Sequence, residues 1–95
     1  MKVTNPATNE VITELTEDSP AAVAAKVERA RAALPAWSGR PVDERIAIVR
    51  RFRELLVAHK EELALTLTRE MGKPLKQSRN ELAAMPGRID YFLEH

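Results

Sequence analysis

Residues 18–38 read Asp-Ser-Pro-Ala-Ala-Val-Ala-Ala-Lys-Val-Glu-Arg-Ala-Arg-Ala-Ala-Leu-Pro-Ala-Trp-Ser, and they mark the change from extended to helical sequence. Ser19 is suited to cap a helix N-terminus, and Pro20 fits the first helical position, where its missing N–H costs nothing. We expect this helix to end at Pro35 and Ser38-Gly39, with Trp37 as an anchor at its close. The apolar residues that follow the cap recur every three or four positions, which predicts one packed helix face: Val23, Val27, Ala30 and Leu34.

Upstream of this helix, residues 1–17 are predicted to form a β-hairpin. Val3-Thr4 and Val11–Leu15 are rich in β-branched residues, and residues 5–9 between them carry turn-forming Asn and Pro. An isolated two-stranded hairpin is marginal in water. We therefore expect the hairpin to lie against another part of the chain.

Downstream, the pattern predicts a second helix after Pro41, with Asp43 and Glu44 in its first turn, where carboxylates suit the helix dipole. A joint is expected at His59-Lys60. The broad apolar stripe of this helix contains Ile46, Val49, Phe52, Leu55 and Leu56.

The third helix is predicted to carry Leu63, Leu67 and Met71 on one face and to stop at Gly72 in a left-handed cap. Pro74 is expected to open the fourth helix, in which Pro86-Gly87 predicts either a kink or two segments that share one core face. The fold class is therefore mainly α, a short N-terminal β-hairpin followed by about four helices. The apolar positions of the fourth helix are Leu75, Ser78, Leu82, Met85, Ile89 and Phe92.

Composition removes several classes of function. The 95 residues include no Cys, three scattered Gly, and 15 Lys and Arg against 14 Asp and Glu. Without Cys there is no disulfide framework, thiolate metal site or thiol nucleophile, and three separate glycines leave no room for a glycine-rich phosphate loop. The near-zero net charge argues against nucleic acid or an anionic membrane as partner. No targeting signal or apolar span is seen, so a cytoplasmic location is expected.

Polar residues that could support catalysis are better explained by local structure. The serines and histidines lack the context of a nucleophile, and the two histidines are too far apart to form a ligand pair. Adjacent carboxylates such as Glu61-Glu62 lie at predicted helix starts and point to different sides of the helix. The arginine cluster of the second helix is expected to be a solvated face with pairing inside the helix; its members are Arg45, Arg50, Arg51 and Arg53.

Two short sequence motifs are more specific than the general patterns described above. Residues 5–12, Asn-Pro-Ala-Thr-Asn-Glu-Val-Ile, resemble the N-P-A-T-G-E-V-I hairpin near the start of aldehyde dehydrogenases, and residues 70–74, Glu-Met-Gly-Lys-Pro, resemble the E-T-G-K-P signature of that superfamily. Residues 34–37, 43–45, 60–64 and 89–92 also resemble that family, in the same order. Two departures are Asn9 in place of the usual Gly and the Pro86-Gly87 pair.

The resemblance implies that residues 1–95 are a single segment, the N-terminal part of an NAD(P)-binding domain, with the hairpin in 1–17 and helices in 18–95. Family members are several times longer and oligomeric, and they oxidise an aldehyde to a carboxylic acid with NAD or NADP, by attack of a thiolate and hydride transfer. Their catalytic and nucleotide-binding residues lie downstream of the matched region. We therefore expect no catalytic and no cofactor-binding residue here, no cofactor bound by this chain alone, and no activity alone.

In the family, this opening segment packs around the cofactor-binding domain, so the expected partner is the remainder of the aldehyde dehydrogenase fold. The alternative is a free-standing helical module for interaction or self-association, through the apolar face of residues 75–92. The resemblance also implies a monovalent-cation site, since some members bind such an ion with main-chain oxygens before the Asn-Pro turn and an acidic side chain of the second signature. The matching positions are Val3, Thr4 and Glu70, and hard oxygen ligands suit the ion.

Overall fold

The computed structural model describes all 95 residues and is mainly helical, with a two-stranded antiparallel hairpin at the N-terminus, which confirms the predicted fold class. The elements are β1 (Lys2–Thr4), β2 (Val11–Glu14), α1 (Pro20–Ser38), α2 (Val42–Ala58), α3 (Lys60–Met71) and α4 (Leu75–Glu94).

The hairpin is held by its turn chemistry. Asn9 adopts a positive φ of 61°, which Asn tolerates better than most residues, so its replacement of Gly in the turn is compatible with the fold. The Asn5 side chain accepts a hydrogen bond from the Ala7 N–H at 2.9 Å. Val3 pairs with Thr13 but Thr4 pairs with Val11, so Ile12 is an extra residue in β2, as in a β-bulge.

The α1 helix begins as predicted and ends at one of its two predicted stop signals. The Ser19 hydroxyl accepts a hydrogen bond from the Ala22 N–H at 3.2 Å, and Pro20 is the first helical residue. The prediction that Pro35 ends the helix is wrong, since α1 continues through Pro35 to Ser38. Proline removes one donor but does not forbid a last turn, and the Gly39 N–H closes that turn on the Pro35 carbonyl at 3.0 Å.

The remaining joints follow the predictions. His59 alone separates α2 from α3, and Gly72 ends α3 with φ 67°, the left-handed conformation expected of it. Pro74 precedes α4. Residues 75–94 form one α-helix that includes Pro86 and Gly87, so the two halves of the predicted apolar run belong to a single element.

Small residues bring α3 and α4 together. Ala64 and Ser78 are fully buried, and the Ser78 hydroxyl shares a 2.8 Å hydrogen bond with the Thr68 hydroxyl. The prediction that Leu63, Leu67 and Met71 form the packed face of α3 is wrong for two of them, because Leu63 is 40% and Met71 62% exposed, whereas Leu67 is partly buried. Close approach of two helices requires a small residue at the crossing, and Ala64 meets that requirement.

The core of the chain is thin. The buried residues are Leu56, Ala64, Leu82 and Ser78, four of 95. The α2 helix lies against α4, and the N-terminal part of the predicted α4 stripe is buried, whereas Phe92 at its far end is 79% exposed. The predicted anchor Trp37 is also exposed, and no residue of α1 is buried.

The radius of gyration and the accessible surface area also indicate that the core is thin. The radius of gyration is 17.5 Å, against about 12 Å for a compact domain of this length. The accessible surface is 7667 Å², whereas a folded monomer of 10.7 kDa exposes about 5,500 Å². The helices therefore leave much of their apolar surface uncovered within this chain.

The α3–α4 crossing yields a stability prediction. We expect Ala64→Leu to destabilise the chain by about 1–3 kcal/mol, because there is no room for a larger side chain where the helices touch. The matched control is Ala83→Leu on the exposed face of α4, which should change the free energy of unfolding by less than about 0.5 kcal/mol. Urea denaturation followed by circular dichroism measures both. Equal effects of the two substitutions would contradict the close crossing.

Candidate functional site

The two sequence signatures meet in the structure. The hairpin turn lies over the end of α3, so that a Cβ placed on Gly72 would stand 2.7 Å from the Pro6 Cγ and 3.1 Å from the Ala7 nitrogen. A cleft between the hairpin and α3 is lined by Asn5, Glu10, Val11, Ile12 and Arg69. The predicted contact of the hairpin with another part of the chain is therefore made through its turn.

Gly72 is required at this junction for two reasons. Its φ of 67° is disfavoured for residues with a Cβ, and the space where a Cβ would lie is already filled by the turn. The first reason could be read from the sequence as a helix cap. The second could not, since it depends on Pro6 and Ala7, 66 and 65 positions earlier in the chain.

The three residues predicted to bind a monovalent cation lie in the two elements that form this junction, the hairpin and α3. Val3 and Thr4 are in β1, just before the Asn5-Pro6 turn, and Glu70 precedes Gly72 in the last turn of α3. The Glu70 carboxylate is exposed and forms no ion pair or side-chain hydrogen bond within the chain, so it is available as a ligand. Main-chain and carboxylate oxygens are hard donors and fit such an ion, and its binding here stays a prediction.

No other set of side chains forms a metal site. The chain holds no group of three or more His, Cys, Asp or Glu placed to bind a metal ion. His59 instead lies 3.1 Å from the Glu62 carboxylate through Nδ1, and the His95 ring stacks on Tyr91.

The serines are occupied by structural contacts. Ser19 caps α1, the Ser38 hydroxyl donates to the Pro35 carbonyl at 3.2 Å, and Ser78 is buried against Thr68. None of the three bonds a histidine. The chain therefore presents no nucleophile paired with a base.

The three glycines lie at two helix ends and inside one helix. Gly39 closes α1, Gly72 accommodates the hairpin turn, and Gly87 lies inside α4. None opens a helix after a strand, which is the arrangement that presents free N–H groups to a dinucleotide. The three glycines therefore lie outside the strand–glycine–helix arrangement of a dinucleotide phosphate loop.

An ion pair between α2 and α4 was not predicted. Arg53 donates from Nε and an Nη to the two carboxylate oxygens of Asp90, at 2.6 and 2.7 Å, a bidentate geometry. Both side chains are about one third exposed. No sequence signal could have paired residues 37 positions apart. Arg51, by contrast, pairs with Glu54 at 3.0 Å inside α2, as expected of the arginine cluster.

The pair shifts both protonation equilibria. The hydrogen bond from Arg53 lowers the pKa of Asp90 below its ordinary value, partial desolvation opposes this, and the charges of Arg53 and Arg50 lower it further. The hydrogen bond to Asp90, with its charge, raises the pKa of Arg53. The cleft beside the pair contains three acidic residues and two arginines, so it offers no clear site for an anion: Arg50, Arg53, Glu54, Asp90, Leu93 and Glu94.

None of the helices is long and apolar enough to span a membrane.

Comparison with known proteins identifies the family. The chain matches the family model described as Aldehyde dehydrogenase family over residues 1–95. N-succinylglutamate 5-semialdehyde dehydrogenase 2 of Caulobacter vibrioides is 47% identical over 87 residues, which are 92% of this chain and 18% of the relative. Glutarate-semialdehyde dehydrogenase of Pseudomonas putida is 40% identical over 94 residues, 99% of this chain and 20% of the relative. The mitochondrial succinate-semialdehyde dehydrogenase of Arabidopsis thaliana is 40% identical, over 99% of this chain and 18% of the relative.

These matches confirm the resemblance seen in the sequence. The chain spans about one fifth of the length of the curated relatives it matches.

The contact at Gly72 predicts that replacing glycine by alanine has opposite effects on stability at Gly72 and at Gly87. Gly72→Ala should destabilise the chain by at least about 1–2 kcal/mol, the cost of a left-handed alanine, and further through the clash with Pro6. Gly87→Ala is the matched control; its Cβ would meet nothing within 4 Å, and it should stabilise the helix by about 0.5–1 kcal/mol. Thermal or urea unfolding measures both. A neutral Gly72→Ala would contradict both the left-handed conformation of this residue and its contact with the hairpin turn.

The Arg53–Asp90 pair predicts a pH-dependent difference. Folding lowers the pKa of Asp90. Its contribution to the free energy of unfolding is therefore fully present above the pKa of the unfolded chain, about 3.9, and is lost as the pH falls through the lower pKa of the folded chain. Asp90→Asn should therefore be less stable than the natural chain at about pH 6, and the gap should narrow below about pH 4. Urea midpoints across that range measure the gap.

The control for this effect is the double variant. In the Asp90→Asn background, Arg53→Gln should cost less than it does in the natural chain, because its partner carboxylate is already neutral. A difference in urea midpoint between the natural chain and Asp90→Asn that stays constant from about pH 6 to pH 3 would contradict the Arg53–Asp90 pairing.

Proposed function

We propose that this chain, which belongs to the aldehyde dehydrogenase family, is the N-terminal part of an NAD(P)-dependent semialdehyde dehydrogenase. The observation that carries the proposal is the match of residues 1–95 to the family together with the names of the relatives, each of which specifies a semialdehyde. The complete enzyme would oxidise the aldehyde group to a carboxylate, adding the oxygen of water and transferring a hydride to NAD or NADP, with release of protons.

The substrate class follows from what the three names share. Succinate, glutarate and N-succinylglutamate semialdehydes each combine a terminal aldehyde with at least one carboxylate on the same carbon chain. We propose the same substrate class for the complete enzyme, with either NAD or NADP as the cofactor.

The role proposed for residues 1–95 is structural support, as the first part of the NAD(P)-binding domain. Three observations favour it: the core is thin, the glycines form no dinucleotide cradle, and no nucleophile is paired with a base. The chain alone should therefore be inactive, and its partner should be the rest of the fold in a cytoplasmic enzyme. The cation predicted at Val3, Thr4 and Glu70 would brace the junction of the hairpin with α3.

A second candidate function is self-association through the face of residues 75–92. The exposure of Tyr91 and Phe92 at the end of α4 favours it, since exposed aromatic clusters are common at contact surfaces. A free-standing module should be monodisperse and melt cooperatively, whereas a segment without its partner should associate non-specifically. Light scattering combined with a thermal circular dichroism scan distinguishes the two.

A chimera tests the proposed function directly. In the Caulobacter vibrioides relative, the 87 residues that match this chain are replaced by the corresponding residues of this chain. We expect dehydrogenase activity within about tenfold of the parent, which corresponds to about 1.4 kcal/mol in the barrier. Formation of NADH or NADPH from N-succinylglutamate 5-semialdehyde is the measurement, with succinate semialdehyde as second substrate.

Two controls accompany the chimera. The parent with those residues deleted should be inactive, and the 95-residue chain alone should form no NADH or NADPH above blank. An inactive but folded chimera would overturn the proposed function. Activity of the chain alone would overturn the structural role.

A further inference from the structure

The cleft between the hairpin and α3 has the contents of a small-molecule site. Its lining combines a cation, an anion, an amide and two β-branched side chains, which belong to Arg69, Glu10, Asn5, Val11 and Ile12. Its volume is about 410 Å³, within the range of roughly 300–1,000 Å³ that is typical of such sites. We call it the hairpin cleft.

Arg69 supplies the positive charge of the hairpin cleft. It lies in the last turn of α3, where the helix dipole favours a cation. Its N–H groups form no ion pair and no hydrogen bond within the chain, whereas those of Arg53 bind both oxygens of Asp90. A guanidinium can donate two parallel hydrogen bonds to one carboxylate. Arg69 is therefore free to bind a carboxylate from outside the chain.

Glu10 supplies the negative charge. Its Oε2 accepts a long hydrogen bond of 3.3 Å from the Thr8 hydroxyl, and its Oε1 accepts none. Glu10 and Arg69 line the same cleft but form no ion pair with each other. A ligand that carries both an ammonium and a carboxylate would give each of these two charges an opposite charge.

Asn5 adds a directed hydrogen-bond donor. Its side-chain oxygen is used by the turn, since it accepts from the Ala7 N–H at 2.9 Å. This bond leaves the two N–H groups of Nδ2 without a partner within the chain. Nδ2 can therefore donate to the carboxylate of a ligand, as Arg69 can.

The apolar wall of the hairpin cleft comes from the bulge in β2. Val11 and Ile12 are adjacent, and adjacent side chains of a regular strand point to opposite faces. The bulge at Ile12 interrupts that alternation, and both residues line the cleft. Val11 is 55% exposed, so an apolar group of a ligand can contact it.

The mixed charge of the hairpin cleft disfavours simpler ligands. Glu10 would repel an anion bound to Arg69, and Arg69 would repel a cation bound to Glu10. A neutral apolar molecule would remove water from both charges and give neither a partner, which is costly. A zwitterion with a small apolar group avoids all three penalties.

We propose that the hairpin cleft binds an α-amino acid with a small apolar side chain. Arg69 and the Nδ2 of Asn5 hold its carboxylate, Glu10 holds its ammonium, and Val11 and Ile12 contact its side chain. All of these groups belong to this chain, so the site does not depend on the proposed function. Because the ligand touches both the hairpin and α3, its binding stabilises their junction.

The test uses L-valine as the probe. Isovalerate and isobutylamine are its controls, because each lacks one of the two charges of valine and keeps the branched hydrocarbon. In NMR titrations of the ¹⁵N-labelled chain, valine should shift the side-chain amide of Asn5 and the backbone amides of residues 10–12, with a dissociation constant of about 1–10 mM. Both controls should bind at least about tenfold more weakly. A control that binds as tightly as valine would overturn the proposal.

Substitutions locate the binding groups. Arg69→Gln and Glu10→Gln should each weaken valine binding by more than about tenfold, the effect of losing a charge-assisted hydrogen bond. Arg69→Lys keeps the charge without the planar fork and should retain part of the affinity. The matched controls Arg29→Gln and Glu28→Gln alter exposed residues of α1 that have no ion pair, and they should leave the dissociation constant unchanged.

A chimera extends the test to a complete enzyme. It carries residues 1–95 of this chain in place of the N-terminal part of the Caulobacter relative. Valine should raise its melting temperature more than isovalerate or isobutylamine does, and Arg69→Gln should abolish the difference.

The outcomes separate this site from the proposed function. No valine-dependent shift in the folded chain, or unchanged binding in Arg69→Gln, would overturn the amino-acid site. An active chimera that valine does not stabilise would also overturn it and leave the proposed function standing. A folded but inactive chimera that valine stabilises would do the reverse.

Discussion

The arrangement of this chain depends on the missing Cβ of Gly72. At that position the end of α3 turns through a left-handed residue, and the Pro6-Ala7 turn of the hairpin occupies the space a side chain would need. The hairpin has two short strands and would be marginal alone, so this contact is what gives it a defined place. Gly72 thus caps α3 and also leaves the space in which the hairpin turn lies.

A second constraint acts between the helices. At the α3–α4 crossing, Ala64 and Ser78 are small enough to let the backbones approach, and the Thr68 hydroxyl satisfies the buried Ser78 hydroxyl. Arg53 and Asp90 then tie α2 to α4 by a bidentate pair in partly exposed surroundings. Polar pairing and small residues hold these helices where a large domain would use bulky apolar side chains.

Local signals predicted most of the element boundaries, because caps and turns are decided by a few adjacent residues. Ser19, His59 and Gly72 each act as the sequence indicates. Long-range partners were not predictable, since a single sequence does not tell which arginine of α2 meets Asp90 or which residue of α3 faces Ser78. Pro35 shows the limit of a local rule: its weakness as a helix former is tolerated one turn before the helix ends. At the candidate cation site, the resemblance predicts Val3, Thr4 and Glu70 as ligands, and that prediction stays untested.

The apolar pattern of α2 carries information that its helical period alone does not. Leu56 is buried, whereas Phe52, four residues earlier on the same face, is 54% exposed, and both fall within one broad stripe when the sequence is read as a helical wheel. A stripe that spans nearly half of the circumference is wider than one helix neighbour can cover. In this chain α4 covers only part of that stripe, because Leu56 is buried while Phe52 and Leu55 stay exposed. The apolar residues of α1 likewise recur at the spacing of a packed helix, yet no residue of α1 is buried.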